Sequence, residues 1–97
     1  MEFPVFPTSP SSDEVLVDQG DVFKRGNGVM IERLKQSSGD TGMPFEIESL
    51  QVSYSAQYPL IVRAYVRWTI EGQIVRSREM LRIDGTGSQH SDGEVFG

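Results

Sequence analysis

The stretch Leu60 to Ile83, LIVRAYVRWTIEGQIVRSREMLRI, decides the fold. Leu60, Val62, Ala64, Val66, Trp68 and Ile70 alternate with Arg63, Tyr65, Arg67 and Thr69, and a period of two places these sets on opposite faces of a β-strand. A tight turn follows. A loop at Glu71-Gly72 sets Trp68 opposite Val75, and a loop at Gly72-Gln73 sets Ile70 there. Both registers put Val75, Ser77, Leu81 and Ile83 on the core side, and both put Ile74, Arg76, Arg78, Met80 and Arg82 beside Arg63, Tyr65 and Arg67. The face of each residue is therefore fixed before the register is. Glu79 falls on the core side, where an unpaired carboxylate is costly, so a bulge across Ser77 to Met80 or an edge position is expected.

Working outward toward the amino terminus, Leu50, Val52, Tyr54 and Ala56 alternate with Gln51, Ser53, Ser55 and Gln57, which predicts a half-buried strand. A three-residue turn, Gln57-Tyr58-Pro59, would pair Ala56 with Leu60 and Tyr54 with Val62. Gln36 to Pro44 reads as a loop on its Gly, Ser, Asp, Thr and Pro content. Before it, Gly26-Asn27-Gly28 supplies the positive φ values of a hairpin turn, between Val22–Arg25 and Val29–Lys35. Met30, Ile31 and Leu34 also fit a helical face, over a segment too short for periodicity to decide, and the turn signal favours two strands. Glu14 to Asp18 is a further short strand.

These elements predict an all-β fold, a small antiparallel barrel or sandwich of about six strands in one domain over residues 13–84. Residues 1–12, with three prolines, read as an extended or disordered arm whose Phe3, Val5 and Phe6 could strap onto a neighbouring subunit. Residues 85–97, rich in Gly and Ser, read as a flexible tail.

Composition limits the chemistry. The 97 residues contain no cysteine, which excludes disulfide frameworks, thiolate catalysis and Cys-based zinc sites. No Gly-rich phosphate loop is present. His90, the single histidine, lies in the predicted tail with no rigid scaffold for a triad and no second ligand-bearing segment for a metal. The expectation is no enzyme, no cofactor and no metal. No apolar window approaches the ~18 residues of a membrane span, and the amino terminus lacks the pattern of a secretory signal. A soluble, cytoplasmic protein with no membrane partner is expected.

Charge gives the functional lead. The net charge is −5, yet residues 60–83 carry five arginines against two glutamates, whereas residues 1–59 carry nine acids against four bases. Arginine's planar fork of donors matches carboxylate and phosphate oxygens, and no lysine occurs in 60–83. Arg63, Tyr65, Arg67, Arg76, Arg78 and Arg82 are the candidate partner-binding residues, with Tyr65 as a stacking surface. An acidic protein partner is expected ahead of nucleic acid, because nucleic-acid binders are basic overall. An accessory or inhibitory role suits the size. The alternative is a self-assembling structural subunit, pairing through a sheet edge along 73–83 and through the arm, since a domain this small has no surplus of core. The bland reading of the arginines is pairing with the chain's own acids.

Overall fold

The computed structural model describes residues 13–96. Five strands form one antiparallel meander, β1 (Val15–Val17), β2 (Phe45–Tyr54), β3 (Leu60–Ile70), β4 (Gln73–Ile83) and β5 (Gln89–Phe96), in the spatial order β1-β2-β3-β4-β5. One helix, α1 (Gly20–Thr41), packs on β1, β2 and β3. The chain is thus mostly β, but the sheet is open, with five strands and a helix in place of the expected barrel or sandwich of six strands. The expected arm, residues 1–12, lies outside the described residues.

The largest correction is α1. Gly26-Asn27-Gly28 does not turn a hairpin; it lies within a 22-residue helix that also absorbs most of the predicted loop from Gln36 to Pro44. Phe23, Gly26, Met30 and Leu34 fall on one stripe of that helix, and Met30 and Leu34 are fully buried. Gly26 is there for closeness: a Cβ on it would stand 2.8 Å from both γ-methyls of Val52. Tertiary packing has overridden a local turn signal. The helix ends on Gly42 in the left-handed region (φ 70°), whose N–H donates to the Ser38 carbonyl.

The central hairpin follows the alternation. Glu71 (φ 50°) and Gly72 (φ 80°) form the two-residue loop, so Trp68 lies opposite Val75. Leu60, Val62, Ala64, Val66, Trp68, Leu81 and Ile83 join Met30, Leu34 and Val52 in the core under the helix. The β3–β4 register runs without a shift, so the bulge expected at Ser77 to Met80 is absent. A bulge does occur in β2, between Ile47 and Ser49. It lets Phe45 and Ile47 share the core side with Leu50 and Val52 although their numbers differ in parity. The β2–β3 pairing sets Val52, not Tyr54, opposite Val62, two residues from the expected register and on the same face.

The second correction is β5. In the predicted flexible tail, Gln89 to Phe96 pairs along β4 from Arg76 to Ile83. Strand β4 is therefore an inner strand over that span, and the sheet edge expected along 73–83 has moved to β5.

Candidate functional site

The face of the sheet away from the helix carries every predicted site residue. Alternation brings Arg63, Tyr65 and Arg67 of β3 beside Arg78, Met80 and Arg76 of β4, with Arg67 directly opposite Arg76 and Tyr65 directly opposite Arg78. Like charges facing each other across strands repel unless anions intervene. Here the anions are the chain's own glutamates.

Arg63 is the extreme case. Its side chain is 3% exposed, and its guanidinium grips Glu14 with both ends, Nη1 to Oε1 at 2.8 Å and Nη2 to Oε2 at 3.2 Å. Ser53 Oγ donates to the same Oε1 at 2.7 Å, and Gln51 Oε1 lies 3.4 Å from Nη1. Glu14 is 5% exposed, so this is a buried ion pair tying the residue before β1 to the centre of the sheet. Tyr65 is also buried, its ring edge-on to Phe96 with centroids 6.0 Å apart.

The other pairs are wetter. Arg67 bonds Glu46, which lies directly across the β2–β3 ladder, and Arg78 bonds Glu94, directly across the β4–β5 ladder. Both glutamates are 63% exposed. Arg76 Nε donates to Glu48 Oε1 at 3.1 Å, across β3. Glu48 is the residue skipped by the β2 register shift, so the bulge supplies the carboxylate that meets Arg76. Among the described residues, the buried Nε atoms of Arg63 and Arg78 find no hydrogen-bond partner.

Arg82 differs from the rest. No carboxylate pairs with it among the described residues; its guanidinium carbon sits 4.9 Å from the centre of the Tyr58 ring. Asp84, two residues along the same face, is already saturated. Its Oδ1 accepts from Thr86 N (2.9 Å), Thr86 Oγ1 (2.6 Å) and Ser88 N (3.1 Å), and its Oδ2 lies 2.8 Å from His90 Nε2. These bonds, His90 foremost, hold the Asp84 carboxyl well below the usual carboxylate range. An ionised Asp84 can only accept, so His90 carries its proton on Nε2. Tyr58, Arg82 and His90 thus meet at the end of the face where the β2–β3 and β4–β5 turns lie.

On the helix side, Glu79 keeps the inward position that alternation assigned. Its carboxylate lies over Gly93, its cross-strand partner, where a Cβ would stand 3.0 Å from Oε1. Burial pushes its pKa up, opposed by a hydrogen bond from Ser77 and by the positive charge of Arg33. Ser77 Oγ in turn accepts from Trp68 Nε1 at 2.9 Å, which satisfies the buried indole. Space over a glycine, not a bulge, accommodates this acid.

The predicted residues thus sit on one face, but only Arg67, Arg76, Arg78 and Arg82 reach its surface. Glu14, Glu46, Glu48, Glu94, Tyr58 and His90 complete the arrangement and were not predicted for it. The signal for Glu46 and Glu48 was the phase change between Phe45-Ile47 and Leu50-Val52. The chain matches no known protein family, no curated protein and no solved structure. Among the described residues, no helix is long and apolar enough to cross a membrane.

Proposed function

We propose that this chain is a non-enzymatic binding module that engages an acidic protein partner through the exposed part of its arginine face. The exchangeability of the outer ion pairs carries the reading. Arg67 is 37% exposed and holds a glutamate that is 63% exposed. Such pairs contribute about 0–1 kcal/mol each, so a partner's carboxylate can replace Glu46 or Glu94 at small cost while gaining a preset arginine. Arg63 and Tyr65 hold the platform from within, and contact falls to Arg67, Arg76, Arg78 and Arg82. Fluorescence anisotropy with a labelled decaglutamate peptide at low salt tests this. Saturable binding that weakens with salt and is lost in Arg67→Glu with Arg76→Glu is expected; no binding, or tighter binding of a single-stranded oligonucleotide, overturns it.

A second reading is self-assembly, now through β5. Among the described residues that strand pairs only with β4, and Val95 is 72% exposed on it. A mass by light scattering that stays monomeric up to tens of micromolar would rule it out.

A further inference from the structure

We infer that Arg82, stacked on Tyr58 beside His90, is the anchor at which a carboxylate of the acidic partner docks; this rests on the binding reading above. The inference comes from what each arginine of the face is already doing. Arg63, Arg67, Arg76 and Arg78 each hold a glutamate of this chain. Arg82 holds none among the described residues: Asp84 has both oxygens engaged by Thr86, Ser88 and His90, and Asp92, opposite Met80 on the same face, makes no ion pair with it. Among the described residues, an incoming carboxylate therefore displaces no ion-paired glutamate at Arg82, whereas at Arg67 or Arg78 it must displace one.

The geometry also favours a planar anion. A guanidinium held over a tyrosine ring is restrained by it, so less side-chain freedom is lost when it binds a carboxylate. Tyr58 is held in turn: its N–H donates to Ser55 Oγ at 3.1 Å, and its ring meets the His90 ring edge-on at 6.2 Å. His90 is fixed by Asp84, so the Asp84 turn braces the platform on which Arg82 rests. An aromatic and arginine pair at a half-buried corner has the composition of an interface hot spot.

The test uses the full chain and the labelled decaglutamate peptide. Arg82→Gln should weaken binding by about tenfold or more, a larger loss than Arg67→Gln produces. Tyr58→Phe should retain affinity and Tyr58→Leu should lose it, because stacking needs the ring and not the hydroxyl. Unfolding midpoints for each variant separate loss of binding from loss of fold, and the His90 ring resonances should shift on peptide addition. Should Arg82→Gln misfold, Arg82→Lys takes its place, with intermediate affinity expected. Peptide binding that survives loss of Arg82 unchanged overturns the anchor and leaves the broader reading standing; no peptide binding by the native chain overturns both.

Discussion

The two faces of the β3–β4 hairpin are built from the same strands by different rules. Toward the helix, Val62, Val66 and Leu81 are fully buried and the constraint is volume: Gly26 has room for no side chain against Val52. Toward the other side the constraint is charge. Arg63 is as buried as the core, with its Nη groups held by Glu14 and Gln51 while Ser53 donates to the same Glu14 carboxylate. An apolar face tolerates exchange of one hydrocarbon for another of like size, whereas a buried charged face fails when one partner is removed. The faces should therefore break in different ways.

The largest effect belongs to the buried pair. Arg63→Ala leaves Glu14 buried without its cation and should cost about 3–5 kcal/mol, read as a lower midpoint in urea unfolding. Next comes the helix side: Gly26→Ala drives a methyl into Val52 and should cost about 1–3 kcal/mol. Gly28→Ala, where a Cβ meets nothing within 4 Å, should instead stabilise the helix, by about 0.5–1 kcal/mol. Equal effects at the two glycines would refute the close-packing account of Gly26.

Glu79 sharpens the comparison, being a charge on the volume-ruled face. Its pKa is raised in the folded state, so its ionised form opposes folding above that raised value, and the penalty is relieved as pH falls through it toward the ordinary carboxylate range. Glu79→Gln should be more stable than the native chain at pH 7, with the gap closing on acidification; thermal unfolding across pH 4 to 8 reads both. The smallest effect is expected at the exposed rim. Arg67→Ala should change stability by no more than about 1 kcal/mol, and a larger loss would show that the outer pairs are structural rather than exchangeable.

How much of this was legible follows from the same division. Alternation reported both faces of β3 and β4 correctly, because the core side of that hairpin is apolar except at Ser77 and Glu79. The helix was hidden by Gly26-Asn27-Gly28, whose glycine signal is real but answers a need for closeness to Val52 rather than for a turn. Strand β5 was hidden because QHSDGEVF is exposed on nearly every residue. Its strand character comes from the backbone of β4 and leaves no apolar period to read. The ion pairs were illegible for a third reason. Glu14 and Arg63 are 49 residues apart, and only the completed sheet brings them together.

The central claim is that the arginine face is graded, structural within and exchangeable outside. Two double-mutant cycles in this chain test it most directly: Arg63→Ala with Glu14→Ala, and Arg67→Ala with Glu46→Ala, each read by urea unfolding. The account predicts a coupling of about 2 kcal/mol or more for the first pair and less than about 0.5 kcal/mol for the second. Equal couplings, whether both large or both near zero, would contradict it.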